Sequence, residues 1–221
     1  MEAKDYRPIS LVHSFAKLVT KMMANRLAPY LDKLVATNQS AFTRGRCIHD
    51  NYMLVQQTIK ILHRRKISSL FLKLDISKAF DSVDWPFLLE ILAHLGFGAV
   101  WRNLVSNLLH SASTQVLLNG EPGDFITHQR GLRQGDPLSP MLFILVMDCL
   151  NSLFIKAEAE GLLLPLHSTG QQLSLYADDV ALFIRSEEDD LQITKNLLQV
   201  FEEASGLRTN LLQKLCDSDS L

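Results

Sequence analysis

Apolar residues at Phe15, Val19, Met22, Met23, Leu27 and Leu31 recur at helical spacing, which predicts an amphipathic helix from Phe15 to Leu31. A second helix is expected from Asp50 to about Arg64, ending in a basic cluster of Lys60, His63, Arg64, Arg65 and Lys66. The run from Ser69 to Asp75 is short and mostly apolar, the pattern of a buried strand with an acid at its end. Trp85-Pro86 opens a further helix with proline at an early position, where helix starts accept it, and Gly96 follows its end at Leu95. Another helix is expected around Val100 to His110.

Downstream, Thr114 to Asn119 followed by Gly120 reads as a hairpin, because Asn-Gly supplies the positive φ angles of a tight turn. Its partner strand is expected over Asp124 to Arg130. Pro140 to Lys156 is a long apolar helix. Leu173–Tyr176 and Val180–Ile184 are two short strands flanking Ala177-Asp178-Asp179. A last helix covers about Leu191 to Ala204, stopped by Ser205-Gly206. Helices mixed with strands and hairpins argue for an α+β fold with an antiparallel sheet.

Composition adds boundaries to that picture. The 221 residues are 47% apolar and 21% charged, an ordinary globular balance that excludes a disordered tail, a collagen-like repeat or a disulfide framework. Net charge is −2, so any polyanionic partner must be met by a local basic groove or by metal ions rather than by a basic coat. Three cysteines, Cys47, Cys149 and Cys216, are odd in number and far apart, which favours reduced thiols, and no second Cys/His pair joins Cys47 and His49 to make a zinc site. No targeting segment is visible, and the longest apolar stretch, Met141 to Leu150, carries Asp148 and is too short to span a membrane. A soluble intracellular chain is the expectation.

Two constellations carry candidate chemistry. The first is Tyr176-Ala177-Asp178-Asp179 between two apolar strands, together with Asp75 at the end of another. Adjacent aspartates are also ordinary turn residues. If the strands are neighbours, however, the carboxylates converge, and two such charges about 4 Å apart repel by about 4 kcal/mol at an effective dielectric near 20. A divalent cation relieves that repulsion, and carboxylate oxygens suit Mg²⁺ or Mn²⁺. Two such ions form the clamp used for in-line displacement at phosphorus. The second constellation is Arg130-Gly-Leu-Arg-Gln-Gly-Asp-Pro-Leu-Ser-Pro140, whose glycines permit close backbone approach and whose Arg133 and Gln134 offer donors. It reads equally as a loop with solvated arginines. Neither Gly-Lys-[Ser/Thr] nor Gly-x-Gly-x-x-Gly occurs, which argues against a P-loop NTPase or a Rossmann enzyme. Ser14-Phe-Ala-Lys17 lies inside the first helix without partner motifs and is read as chance.

Six blocks in order carry a resemblance: Tyr6-Arg-Pro-Ile-Ser-Leu11, Asn38-Gln-Ser-Ala-Phe42, Phe71 to Asp84, Gly131 to Pro140, Tyr176-Ala-Asp-Asp179 and Ser205-Gly-Leu-Arg-Thr-Asn210. From Tyr6 to Asn210 the chain resembles the reverse transcriptase domain of non-LTR (LINE-type) retrotransposons, especially those of plants. The resemblance implies fingers and palm, with an antiparallel palm sheet backed by helices: residues 1–70 fingers-like, 71–210 palm-like with fingers elements interleaved, and 211–221 a divergent C-terminal tail. It implies an RNA-directed DNA polymerase using two Mg²⁺ or Mn²⁺ ions, with RNA template, DNA primer and dNTPs as partners, in nucleus or cytoplasm.

By the same resemblance, Asp75 and Asp178 are the principal metal-binding carboxylates, Asp179 is the third acid, and Ile76 lends a backbone carbonyl to a metal. Phe80 falls where a bulky aromatic would exclude a ribose 2′-hydroxyl; it reads otherwise as a core aromatic. Gln134 and Gly135 would pack along the incoming nucleotide and template, and Arg7 and Arg133 would meet phosphate charge. The Lys60–Lys66 cluster is either a nucleic-acid contact or a solvated helix end. Against the family pattern, Asn210-Leu-Leu-Gln-Lys214 has one residue more than Asn-x-x-Lys-Ser, and no thumb is recognisable. A truncated or frame-shifted copy is therefore expected, with self-association through exposed palm surface; the alternative function is a catalytically inactive remnant with weak nucleic-acid binding.

Overall fold

A computed structural model describes residues 13–166 and 172–216, with side chains described as far as Asn210; Arg7 lies outside the described residues. The chain starts with helix α1 (Ser14–Leu27) and a single helical turn, α2 (Leu31–Leu34). The continuous helix expected through Leu31 is broken because Pro29, which lacks an N–H and crowds the preceding turn, falls inside it. Helix α3 (Ile48–Arg64) then leads into strand β1 (Ser69–Ile76), a helical turn α4 (Ala79–Ser82), and helices α5 (Trp85–His94) and α6 (Ala99–His110).

The Asn-Gly hairpin exists but is built from short pieces. β2 (Ser113–Thr114) pairs with β5 (Ile126–Thr127), and β3 (Leu117–Leu118) pairs with β4 (Glu121–Pro122) around Asn119 and Gly120, both at positive φ. The partner strand expected over Asp124–Arg130 is thus shorter and begins earlier. All eight strand residues are exposed, so no buried face extends the ladder. Helix α7 (Ser139–Ala159) follows, then strands β6 (Leu173–Tyr176) and β7 (Asp179–Arg185), helix α8 (Glu188–Ser205) and strand β8 (Thr209–Cys216). Helix α8 starts three residues before the expected Leu191: Glu188, Asp189 and Asp190 carry little apolar signal but suit the positive end of the helix dipole.

The main sheet is antiparallel in the order β6-β7-β1-β8. Strand β8 was not legible in the sequence. It pairs with β1 along its whole length, from Ser69 opposite Cys216 to Ile76 opposite Thr209. Alternation in β1 buries Leu72, Leu74 and Ile76 and exposes Lys73 and Asp75. The buried face packs on α5, α7 and α8, where Leu72, Leu74, Leu88, Leu92, Phe143 and Phe201 are at most 1% exposed. Helix α7 is mostly apolar and, at 21 residues, long enough to cross a membrane, but Phe143 to Met147 and Leu150 are sealed inside this core. That burial accounts for its composition.

The opposite face of the sheet is covered unevenly. Near the end of α3, Leu62, Leu166 and Phe183 form a small second cluster with Phe71, whose ring centroid lies 5.1 Å from that of Phe183. Two positions further along β1 that cover is gone, and Lys73 and Asp75 face solvent. The sheet is therefore sealed at one end and open at the end that carries the acids.

Candidate active site

The open end is assembled by strand register. Leu74 pairs with Val180, so one step further along the antiparallel ladder Asp75 comes level with Asp179, while on its other side Asp75 is opposite Asn210. Tyr176 pairs with Asp179, leaving Ala177 and Asp178 as a two-residue hairpin loop. Only the first of these has positive φ, +54°, the pattern of a type II′ turn in a position that favours glycine. An alanine held there costs about 1–2 kcal/mol, and such a conformation persists only where neighbours over-determine it. Ala177 is buried, Asp178 half-buried and Asp179 exposed, so the turn sits on the core and presents its carboxylates outward.

Asp75, Asp178 and Asp179 thus share one end of the sheet. Neither Asp75 nor Asp178 has a hydrogen-bond or ion-pair partner among the described residues. Asp179 has one: the Lys73 ammonium, 3.3 Å from its Oδ1 and lying on the same exposed face. Lys73 was not singled out in the sequence, although the period of two along β1 put it on the face of Asp75. Among the described residues no group of three or more His, Cys, Asp or Glu stands ready to hold a metal ion. The three carboxylates nevertheless fit a hard divalent cation by chemistry and access: two are unpaired, and the third is paired only with a flexible, exposed ammonium. Ile76 ends β1 with its side chain buried.

The Gly131–Pro140 loop is docked onto the segment that follows Asp75. Gly131 N–H donates to Val83 O at 2.8 Å, Leu132 N–H to Phe80 O at 2.6 Å, and the Trp85 indole to Gly131 O at 2.7 Å. A Cβ on Gly131 would stand 2.6 Å from Asp81 O, so only glycine permits this approach at φ +87°. Gln134 reaches back to donate to Asp81 Oδ1 at 3.1 Å, and Gly135 is exposed beside it with φ +92°. Arg133 turns toward the end of α6 and donates to Ser111 Oγ at 2.9 Å. Phe80 is half-buried and stacks on Phe143 with ring centroids 4.7 Å apart. The structure therefore brings Phe80, Gln134 and Gly135 to the segment beyond Asp75, and Arg133 away toward α6.

Behind the acids lies a buried amide network built on Asn38, Gln39 and Asn51, whose role no local sequence pattern marks. Asn38, Gln39 and Ser40 run alongside the outer edge of β6: Leu175 N–H donates to Asn38 O at 2.9 Å and Ser40 N–H to Leu175 O at 3.1 Å. Asn51 from α3 donates to Leu175 O at 2.7 Å and to Ser174 Oγ at 2.9 Å, and Asn38 donates to Asn151 Oδ1 at 2.7 Å. Arg46 grips the same segment through the carbonyls of Ala36 and Gln39 and through Asp32, whose Oδ1 is 2.6 Å away. Nearby, Asp148 accepts from Ala36 N at 2.9 Å; burial raises its pKa, while that bond and Arg46 oppose the shift.

The helix-backed antiparallel sheet is a fold shared with solved telomerase and RNA-dependent RNA polymerase structures. The telomerase of Candida albicans superposes with a TM-score of 0.60 at 13% identity, over 92% of this chain and 34% of that one, a likeness of fold alone. At the level of sequence the chain belongs to the reverse transcriptase (RNA-dependent DNA polymerase) family, whose profile matches residues 2–214. It is 33% identical to the transposon TX1 uncharacterized 149 kDa protein of Xenopus laevis, over 94% of this chain and 16% of that protein. It is 31% identical to the Pol polyprotein of a type-1 retrotransposable element R2 from Nasonia vitripennis, over 94% of this chain and 20% of that one. The chain thus spans about a sixth to a fifth of the length of these relatives.

Proposed function

We propose that this chain is the fingers-and-palm core of an RNA-directed DNA polymerase of a non-LTR retrotransposon of the plant type, extending a DNA primer along an RNA template. The observation that carries the reading is the β1–β7 register, which sets Asp75 level with Asp179 beside a turn bearing Asp178. Asp75, Asp178, Asp179 and the Ile76 carbonyl would hold two Mg²⁺ or Mn²⁺ ions, which supply charge neutralisation at the transferring phosphate and activation of the primer 3′-oxygen. The chain's own residues position the reactants. Gln134, anchored on Asp81, and Gly135, whose backbone permits close approach, line the path of the incoming dNTP and template. Phe80, braced against Phe143, presents a fixed ring to the sugar. Arg7 supplies guanidinium charge for phosphate, and Arg133 does so by exchanging its bond to Ser111 Oγ for one to phosphate. Positioning and electrostatics carry such a transfer, so the rigidity of these supports matters more than any covalent step on the protein.

Primer extension on an RNA template, with dNTPs and Mg²⁺ or Mn²⁺, tests this by comparing the wild type with Asp178→Asn. Extension by the wild type alone is the expected result. A folded wild-type chain that extends no primer with either metal would overturn the catalytic reading and leave a non-catalytic retroelement fold in its place.

A further inference from the structure

The Ala177 N–H is one of the two loop amides, with that of Asp178, that a two-residue hairpin leaves outside the ladder, because the ladder bonds belong to Tyr176 and Asp179. It is buried, and its partner comes from the far side of the sheet edge: Gln39 Oε1 accepts it at 3.1 Å. The same oxygen accepts Ala41 N–H at 3.0 Å, closing Gln39 onto its own loop. Gln39 is 0% exposed, and its Nε2 has no hydrogen-bond partner. Both groups facing Oε1 are donors, which fixes the orientation of the amide. The side chain therefore leaves a donor unsatisfied in order to offer an acceptor at the turn.

Gln39 is itself over-determined. Arg46 holds Gln39 O at 2.7 Å and grips the carbonyls of Ala36 and Val35. Asn51 fastens Leu175, the residue paired with the Gln39 backbone. A rigid path thus runs from the start of α3 through Arg46 and Gln39 to a strained alanine beside Asp178. We propose that Gln39 is a positioning residue of the catalytic site: by accepting the Ala177 N–H it holds the turn in its positive-φ conformation and sets the direction in which Asp178 and Asp179 point. Without that acceptor the turn loses its lateral support, and the acids bind metal from a broader set of orientations. This rests on the polymerase reading of Asp178.

Two variants and one wild-type measurement test it. Gln39→Met matches the length of the side chain but offers no acceptor to the amides. Gln39→Glu keeps the acceptor oxygen. In Gln39→Met the Mg²⁺ concentration for half-maximal extension is expected to rise about five- to tenfold, the cost of one buried amide left unpaired. The dNTP KM is expected to stay within about twofold, since Gln134 keeps its bond to Asp81 and Phe80 its stacking on Phe143. Gln39→Glu is expected to restore most of the metal response. An unchanged metal requirement in Gln39→Met, or equal losses in the two variants at every metal concentration, would overturn the proposal. Amide hydrogen exchange in the wild-type protein gives a second reading that needs neither activity nor a folded variant. Protection of the Ala177 amide in the absence of metal is expected; exchange at the rate of a free turn amide refutes Gln39 as its partner. If the wild type extends no primer while Ala177 is protected, the polymerase reading fails and the restraint on the turn stands.

Discussion

Gly206 ends α8 with φ +75°, and a Cβ built on it would stand 2.5 Å from Ser82 O. Gly96, just past α5, has φ +83° and nothing within 4 Å of the same position. The two glycines therefore separate two costs that usually come together. An alanine at Gly96 meets only the left-handed penalty, about 1 kcal/mol. An alanine at Gly206 meets that and must also push aside the Ser82 backbone, which is held in place by Asp84 N–H donating to Ser205 O at 2.9 Å. Overpacking against unyielding atoms adds about 1–3 kcal/mol. Gly206→Ala is thus expected to lose about 2–4 kcal/mol in all, against about 1 kcal/mol for Gly96→Ala. Urea unfolding followed by two independent probes measures both, with midpoints shifting at constant m-value if only stability has changed. Equal losses at the two positions would refute the argument that α8 is docked on Ser82 through the missing side chain.

The remaining predictions concern charge and reactivity. Burial raises the Asp148 pKa above its unfolded value, so the folded chain binds that proton more tightly; the stability this group contributes is present in acid and is lost as pH rises through the folded pKa. Asp148→Asn keeps an acceptor for Ala36 N–H and removes the charge, so its thermal stability is expected to exceed the wild type at neutral pH and converge with it in mild acid; parallel curves would contradict the assignment. Lys73→Ala frees Asp179 from an exposed ion pair worth about 0.2–1 kcal/mol, so the Mg²⁺ requirement of extension is expected to fall by about 1.5- to 5-fold, and a rise would count against Lys73 as a competitor for that carboxylate. Burial, with Asp148 alongside, pushes the Cys149 thiol up to about 11, whereas Cys47 is exposed. Iodoacetamide mapping by mass spectrometry at neutral pH is expected to label Cys47 in the native protein and Cys149 only after denaturation.

How much of this was legible in the sequence follows from what each signal depends on. Helices α3, α5, α6 and α7 were readable because their apolar spacing, proline starts and glycine stops are local. The acids of the candidate site were readable because Asp75 and Asp178-Asp179 close short apolar runs, whose burial the core then explains. Strand β8 was not, because Thr209–Cys216 carries no clean alternation and becomes a strand by pairing along β1, a partner more than a hundred residues away in the chain. The ends of α1 and α8 were missed where a proline and a run of acids outweighed apolar spacing. Gln39 stands inside the Asn38–Phe42 block, where no local pattern marks its role, since that role lies in a bond to Ala177, which is 138 positions distant.

These long-range bonds meet in two places. The segment after Asp75 receives the Gly131 loop through the main chains of Phe80 and Val83, and the end of α8 through Ser82 and Asp84. The turn carrying Asp178 receives Gln39 and, through Leu175, Asn38, Ser40 and Asn51. In both places the contacts are to the backbone, not to the acids themselves. That division has a physical reason. A carboxylate that is to take a cation cannot also be fixed by side-chain hydrogen bonds without a competing affinity, and Asp75 and Asp178 have none among the described residues. Orientation must then be imposed one step back, on the amides that carry the aspartates. Buried amide-to-backbone bonds do this without adding charge near the proposed metal-binding carboxylates. Substitutions one step back, Gln39→Met among them, are accordingly expected to change the Mg²⁺ requirement of extension more than they change the dNTP KM.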